Sequence, residues 1–283
     1  MEPIVFMAVL LAAALHAMWN AAVKSKGDKT SAITAVTLGQ GAIALIMVPL
    51  VPLPGIGTLP FLAMGIVFHV GYRLMLSTSY RLGDLTQVYP MARGTGPLIV
   101  AALSGVLIGE RLNWINTLGV CLIASGILSL AVVRGGAGLR NPRAALAAVT
   151  TGCFIAGYSI ADGLGVRQFN GPPYGYLTWL MLSDTVAFMV VVALMRGGSI
   201  FNGSGRAYLG TALFGGGASI LAYGLVMWAF TLAPIALVTA LRETSIIFAL
   251  LIGVVLLKEP VNLVKVFATM VTLTGAALAR LAR

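Results

Sequence analysis

The chain alternates between long apolar stretches and short polar connections from one end to the other. Ten stretches are each about 20 residues long, the length that an α-helix needs to cross a bilayer. None of the connections is long enough to hold a soluble domain. The pattern predicts an all-α membrane protein with ten transmembrane helices, at 4–23, 31–52, 58–80, 85–108, 114–133, 144–166, 174–195, 207–231, 234–257 and 262–281.

Scarce residue types recur along the chain at a spacing of 149 residues. Arg93 and Arg242, Thr95 and Thr244, Glu110 and Glu259, Asn113 and Asn262, Gly126 and Gly275, and Arg134 and Arg283 are the recurring pairs. Each copy holds five spans, and an odd number inserts the second copy upside down. Inverted repeats are typical of secondary transporters, whose substrate site lies near midplane between the halves. We therefore predict a first five-helix repeat at 1–134, a linker at 135–143 and an inverted second repeat at 144–283.

Composition excludes several classes of protein. The sequence is 59% hydrophobic and 9% charged, with a mean hydropathy of +0.99, whereas a soluble domain carries about 25% charged residues. The net charge of +10 is scattered over short loops without a basic patch, so we expect no nucleic-acid partner. The first span lacks a cleavage site and is interpreted as retained in the inner (plasma) membrane of the cell.

Other chemistry has little support in the sequence. Cys121 and Cys153 fall inside apolar spans and are interpreted as small hydrophobic residues. His16 and His69 are the only histidines, with no acids or thiols clustered beside them, so we expect no metal and no cofactor. Neither a serine protease site nor an acidic cluster for phosphoryl transfer is present, so an enzyme is not expected, and a channel is less favoured than a carrier.

The orientation in the membrane is open. Assigning Lys and Arg residues by side gives 11 on the face of Lys24–Lys29 and Arg134–Arg143 and four on the face of the termini. The positive-inside rule would then place both termini outside the cell.

Six ionisable residues lie within the predicted spans: Arg73, Arg93, Asp162, Asp184, Arg242 and Glu243. A charge at the bilayer centre costs about 2.5–3.5 kcal/mol on insertion scales, so such residues pair or line a wet cavity. Three are basic and three acidic, and complete mutual neutralisation would make them ion pairs that lock helices together. The equivalent depth of Arg93 and Arg242 favours function instead, on opposite walls of the site. Asp162 lies near a predicted helix end, where its carboxylate can reach the membrane interface.

Glu243 is the only carboxylate well within the fourth helix of either half. It is predicted either to carry a coupling proton or to form a static pair with an arginine of the other half, Arg93 first. That pairing would leave Arg242 to attract a substrate carboxylate.

Aromatic and polar residues share helix faces. His16, Trp19 and Asn20 are spaced i, i+3 and i+4, which places them on one face of the first helix, and His69, Tyr72 and Arg73 repeat the spacing in the third. Tyr158 shares a face with Asp162, and Tyr223 lies on the eighth helix. The alternative for aromatic residues is the interfacial belt, which we favour for Trp114, Trp179 and Tyr208. Pro90 and Pro97 are expected to weaken the fourth helix at midplane.

Two turns complete the pattern. Gly109–Asn113 and Lys258–Asn262 join the fourth and fifth helices of each half, with Asn113 and Asn262 placed as N-caps and the glutamates at the start of the next helix. With the first-helix segment Leu15–Lys24, these turns and the ten inverted spans resemble the EamA-type drug/metabolite transporter superfamily over the whole chain. Within it the chain is most similar to amino acid exporters, including the YddG-type exporters of aromatic amino acids.

The resemblance implies a central cavity lined by the first, third, fourth, sixth, eighth and ninth helices, with both termini in the cytoplasm. Small relatives use a glutamate in the first helix for proton and drug-cation binding, where this chain has Asn20. The expected function is alternating-access export of amino acids or similar zwitterions, with a different metabolite, an organic anion or a hydrophobic cation as alternative substrates. The expected partners are a small-molecule substrate and membrane lipid, and the oligomeric state is open, with a monomer compatible. Substrate-binding residues are predicted to be His16, Trp19, Asn20, Tyr72, Arg93, Tyr158, Tyr223 and Arg242, with Glu243 for coupling.

Overall fold

The computed structural model describes residues 1–24, 26–83, 85–132, 141–198, 200–201, 205–255 and 263–281. Over these ranges the chain is helical almost throughout and contains no strand. Ten of the helices described are long and apolar enough to cross a membrane. The prediction of an all-α membrane protein with ten spans is confirmed. Most of the predicted linker and the predicted turn 258–262 lie outside the described residues.

The helices begin and end close to the predicted positions. They are α1 Pro3–Lys24, α2 Lys29–Met47, α3 Leu59–Leu82, α4 Leu85–Leu103, α5 Trp114–Val132, α6 Pro142–Gln168, α7 Pro173–Met195, α8 Gly216–Leu232, α9 Ile235–Arg242, α10 Ser245–Val255 and α11 Leu263–Leu281. A π-helical turn extends α4 over Ser104–Ile108, and another precedes α8 over Thr211–Gly215. The first eight helices and α11 each form one span, and α9 with α10 forms the ninth.

Side-chain caps explain where several helices begin. Asp28 Oδ1 accepts from the Thr30 amide at 3.0 Å and begins α2. Asn113 Oδ1 accepts from the Asn116 amide at 2.7 Å, which confirms the predicted cap of α5. Asn141 accepts from the Arg143 amide and precedes Pro142, a residue suited to the first helical turn because it has no amide hydrogen to satisfy.

The ninth span differs from its prediction because it is broken. The amides of Glu243 and Thr244 bond the carbonyls three residues earlier, those of Ala240 and Leu241, in place of the usual four. The Thr244 hydroxyl also donates to the Leu241 carbonyl at 2.7 Å, a local bond that competes with helical geometry. The fourth helix, where Pro90 and Pro97 predicted the irregularity, stays α-helical through both prolines.

Helices of the first half pack mainly on helices of the second half, in a regular pattern. Helix α3 packs on α6 and α1 packs on α8, while α2 packs on α7 and α5 packs on α11. Under the 149-residue repeat, α1 corresponds to α6 and α3 to α8, so the first two contacts are copies of each other. A two-fold relation between the halves would produce this pattern of contacts. The inverted repeat itself stays a prediction.

The contact between α5 and α11 depends on glycine. A Cβ atom on Gly275 would lie 2.6 Å from the Gly119 carbonyl oxygen, and one on Gly126 would lie 2.4 Å from Thr272 Oγ1. Close backbone approach at small residues is how membrane helices associate without a hydrophobic driving force. Gly126 and Gly275 are one of the repeated pairs, so the repeat reaches into this interface.

Candidate functional site

A cavity of about 700 Å³, including its open mouth, lies between the two halves. Six of the eight predicted substrate-binding residues line it, and they come from α1, α3, α6, α8 and the end of α9: His16, Trp19, Tyr72, Tyr158, Tyr223 and Arg242. Asn20 and Arg93 are outside the lining. The helix faces that the sequence predicted to be polar or aromatic are therefore brought together in one place.

The set of lining helices differs from the expected one. Helix α2 contributes Thr37 and Gln40, and α7 contributes Met181, whereas none of the described side chains of α4 lines the cavity. Gln40 donates to the Ser219 hydroxyl of α8 at 2.9 Å, which fixes both side chains at the cavity wall. The expectation that the fourth helix lines the cavity is wrong, because Arg93 points into a buried ion pair behind the wall.

The cavity extends toward one face of the membrane. Trp19 lies near the end of α1 and Ile33 near the start of α2, and both line the cavity. The mouth is therefore on the side of the α1–α2 connection. Ten successive spans place the start of α9 on the opposite side.

Arg93, Glu243 and Arg242 form one buried cluster. The Arg93 Nε atom lies 2.6 Å from Glu243 Oε2, and Arg242 donates to Glu243 Oε1 at 3.3 Å. Arg93 also donates to the Ser245 hydroxyl at 3.0 Å, across the break between α9 and α10. The pair of Arg93 with Glu243 is the one that the sequence suggested. The two arginines nevertheless share one carboxylate and do not face each other across the cavity.

This cluster carries one more positive than negative charge. Arg242 is its member at the cavity wall, where it donates to the Tyr158 hydroxyl at 3.1 Å and lies 5.3 Å from the centre of the Tyr158 ring. Its Nε atom is buried and has no hydrogen-bond partner among the described residues. A buried guanidinium without full compensation attracts an anionic ligand.

Arg73 and Asp184 form a second ion pair within the membrane. Two parallel hydrogen bonds of 2.8 and 2.6 Å join α3 to α7, and the guanidinium lies 4.8 Å from the centre of the Phe188 ring. Asp184 is fully buried. This geometry supports the interpretation of the two residues as an internal pair that locks helices, although Arg73 also reaches the cavity wall.

Asp162 has a different partner. His69 Nε2 lies 2.8 Å from its Oδ2, the Tyr223 hydroxyl donates to the same oxygen at 2.5 Å, and the Tyr176 hydroxyl donates to Oδ1 at 3.2 Å. Asp162 is fully buried, so the prediction that it reaches the membrane interface is wrong. Since Asp162 pairs with a histidine, the six charges do not neutralise one another completely. The excess positive charge of the cluster of Arg93, Glu243 and Arg242 therefore remains.

The first-helix residues divide into two groups. His16 and Trp19 meet edge to face at the cavity, with ring centres 5.0 Å apart. The indole nitrogen of Trp19 is buried without a hydrogen-bond partner in the described part of the chain. Asn20 instead donates to the His16 carbonyl at 2.8 Å, so its amide serves its own helix.

The residue that sequence reasoning undervalued is His69. It stacks on Tyr158 at 4.3 Å with an angle of 13° between the rings, and it lies edge to face with Tyr223 at 5.5 Å. Its spacing with Tyr72 and Arg73 was the available signal. The acid that completes the pair is 93 residues away, near a predicted helix end from which the sequence allowed it to reach the interface.

The end of the bundle opposite the mouth is tied by Glu110. Its carboxylate lies 2.6 Å from Arg167 and accepts from the Ile235 amide at 2.8 Å. Arg167 also donates to the carbonyls of Phe230 and Ala233, at 2.8 and 3.0 Å. The prediction that Glu110 supports the start of the next helix, α5, is wrong, because it caps α9 of the other half.

Comparison with known proteins agrees with this architecture. Residues 142–281 match the family model described as the EamA-like transporter family. One of the solved structures similar to the chain is a crystal structure of a protein 19% identical to it, with a TM-score of 0.76, covering 98% of this chain and 99% of the other. At that identity the likeness shows the fold alone. Among curated proteins no match is found. Residues 142–281 therefore identify the second half of the chain as EamA-like, a family of small-molecule transporters, and the ten described apolar helices make the chain a multi-pass membrane protein.

Proposed function

We propose that this protein exports amino acids, aromatic or otherwise neutral, or similar small zwitterions across the inner membrane by alternating access. The observation that carries the proposal is the charge of the arginine cluster. Glu243 balances only one of two guanidiniums, and the other belongs to Arg242 at the cavity wall. A substrate carboxylate would supply the missing negative charge.

The cavity wall offers contacts for the rest of an amino acid. Arg242 and the Tyr158 hydroxyl are placed to bind the carboxylate through charge-assisted hydrogen bonds. Aromatic faces of Trp19, Tyr72 and Tyr223 are suited to an apolar side chain or, by cation–π attraction, to the ammonium group. The narrower likeness to YddG-type exporters belongs to this proposal and rests on the same aromatic lining.

Alternating access is supported by the difference between the two ends of the bundle. The cavity extends to the face of the α1–α2 connection, while Glu110 and Arg167 tie α6, α8 and α9 together at the other face. Opening the second end would require this tie to break. We propose a rocking of the two halves about the cavity, with the termini in the cytoplasm as the family topology implies, and a monomer as the working unit.

A second candidate substrate is an organic anion. Both carboxylates nearest to the wall, those of Asp162 and Asp184, are already paired with His69 and Arg73. An ammonium group therefore finds aromatic rings but no unpaired acid among the described lining residues. The same arrangement disfavours a hydrophobic cation as the substrate.

The proposal is tested by counterflow in proteoliposomes that contain the purified protein. Vesicles loaded with unlabelled phenylalanine, in medium of equal pH, are expected to accumulate labelled phenylalanine transiently. Protein-free vesicles serve as the control. Accumulation of an organic cation or a sugar phosphate, with none for any amino acid or organic acid, would overturn the proposal.

A further inference from the structure

We propose that the His69–Asp162 pair is the proton-binding site of the transport cycle and that it takes up one proton when a carboxylate binds at Arg242. The inference rests on the proposed function, since it assumes that a carboxylate occupies the cavity. It assigns the coupling proton to two residues that differ from Glu243.

The first argument is that His69 places a basic side chain against a buried carboxylate at the cavity wall. Histidine is the only side chain whose ordinary charge change falls between pH 5 and 8. His69 lines the cavity, and its Nε2 contacts a fully buried carboxylate at 2.8 Å. With the Nε2 hydrogen donated to Asp162, a second proton on Nδ1 converts the pair from a single negative charge to a neutral ion pair.

The second argument is that the other acids of the spans are held by arginine. Arginine stays charged at any physiological pH. Protonating Glu243 would leave the guanidiniums of Arg93 and Arg242 buried without a counter-charge, and protonating Asp184 would do the same to Arg73. A buried charge left unpaired in this way is strongly destabilising. These carboxylates are therefore poor proton carriers, and Glu243 is better suited to hold the two arginines together.

The third argument is that the proton site and the carboxylate site share Tyr158. Its ring stacks on His69 at 4.3 Å, and its hydroxyl accepts from Arg242 at 3.1 Å. While the cavity is empty, the uncompensated charge of Arg242 repels the positive charge that protonation would place on His69. A carboxylate at Arg242 removes that opposition, so proton and substrate favour each other's binding.

Charged and titratable groups lie on the helices packed around this pair. Helix α3 itself carries Tyr72 and Arg73, and the others contribute Arg93 from α4, Tyr158 from α6, Tyr176 and Asp184 from α7, Tyr223 from α8, and Arg242 and Glu243 from the ninth span. His16 of α1 also lines the cavity, as Arg242 does, but no ion pair joins it to an acid in the described part of the chain. A proton on His16 would add a third positive charge to the arginine cluster.

Coupling of this kind determines what drives transport. Since proton and carboxylate bind together, they cross the membrane together. Net export then runs when the outward gradient of substrate exceeds the inward gradient of protons. A carrier of this type exports a substrate that has accumulated inside the cell and does not export it when its internal concentration is low.

The test is a measurement of protons taken up when phenylalanine binds to the purified protein in weakly buffered detergent solution. The wild type is expected to take up about one proton per molecule bound between pH 6 and 8, and its apparent affinity should fall about tenfold per pH unit above the midpoint. His69→Gln and Asp162→Asn should abolish the uptake, and Asp28→Asn, which changes an acid at the membrane face outside the cavity lining, should retain it. Retention of uptake in His69→Gln would overturn the inference.

A milder variant keeps the test decisive if those proteins fail to fold. Tyr176→Phe removes only the 3.2 Å hydrogen bond to Asp162 Oδ1 and lies outside the cavity lining, so it should shift the pH midpoint of proton uptake. Tyr174→Phe, on an exposed position of the same helix, is the matched control and should leave the midpoint unchanged. An unchanged midpoint in Tyr176→Phe would contradict the assignment. Binding and counterflow without proton uptake at any pH would also overturn the inference and leave the proposed function intact, whereas absence of both would overturn the function itself.

Discussion

The two arginines that the repeat makes equivalent lie in unlike surroundings. Arg93 is followed by Gly94 in a continuous helix, whereas Arg242 is followed by Glu243 at the point where the ninth span breaks. The threonine after each pair shows the same contrast, since Thr95 donates to the carbonyl four residues back and Thr244 to the one three back. Equivalent positions of the predicted repeat thus form a support behind the cavity wall in one half and, in our proposal, an anion site at the cavity wall in the other.

Space around Gly94 explains why the carboxylate occurs only once. A Cβ atom at this position would lie 2.7 Å from Leu128 Cγ and 3.2 Å from the Ala124 carbonyl oxygen. A glutamate here would displace α5. The single Glu243 must therefore serve both arginines, and this sharing leaves the net positive charge on which the proposed substrate site depends.

The largest effect is expected from removing the shared acid. Glu243→Gln leaves two buried guanidiniums without a counter-charge, and we expect a loss of about 3–5 kcal/mol in the free energy of unfolding. Arg93→Gln should cost less, because Arg242 and Glu243 remain paired. Thermal melting in detergent measures both.

The double variant Arg93→Gln/Glu243→Gln is the control for this comparison. It leaves only Arg242 buried, so it should be more stable than Glu243→Gln alone, a non-additivity that contacting residues show. Additive losses would mean that the three side chains do not act as one cluster.

A smaller effect is expected at the glycine. Gly94→Ala should destabilise the protein by about 1–3 kcal/mol through overpacking against α5. Gly217→Ala in α8 is the matched control, because a Cβ atom there meets nothing within 4 Å, and it should be neutral or slightly stabilising. Equal melting temperatures of the two variants would contradict the steric explanation for the missing carboxylate.

The smallest effect on stability is expected from an ion pair at the membrane face, in contrast to the buried cluster at midplane. Asp28 pairs there with Arg196 at 2.8 Å, and both side chains are about one-fifth exposed. Partial burial raises the pKa of Asp28, but hydrogen bonds from Ser31 and Arg196 outweigh it and hold the pKa below its ordinary value of 3.8. The stabilisation is therefore present at neutral pH and disappears as the pH falls through the lowered value. Asp28→Asn should lose less than about 1 kcal/mol at pH 7, and this loss should shrink as the pH is lowered below 3.8. A loss that does not shrink in acid would show that charge is not the cause.

Much of the fold could be read from the sequence because membrane spans follow from apolar length alone. The first-helix face of His16 and Trp19 and the pair of Arg93 with Glu243 also followed from spacing and depth. The break at Thr244 did not, since hydroxyl-to-carbonyl bonds leave no pattern and the two prolines drew attention to α4. The His69–Asp162 pair and the cap that Glu110 makes on α9 join distant segments, and only packing between the halves brings those segments together.

Arg242, whose charge the shared Glu243 compensates only in part, is proposed to bind a substrate carboxylate. The most direct test of this claim is the affinity of the purified protein for phenylalanine and for phenylalanine amide, which lacks only the carboxylate charge, in the wild type and in Arg242→Gln. Loss of one charge-assisted contact predicts a fall of about 10- to 100-fold for phenylalanine and less than about threefold for the amide. Arg280→Gln, at an exposed position on α11, should change neither affinity. Equal losses for both ligands in Arg242→Gln would show that Arg242 supports the fold and not the substrate.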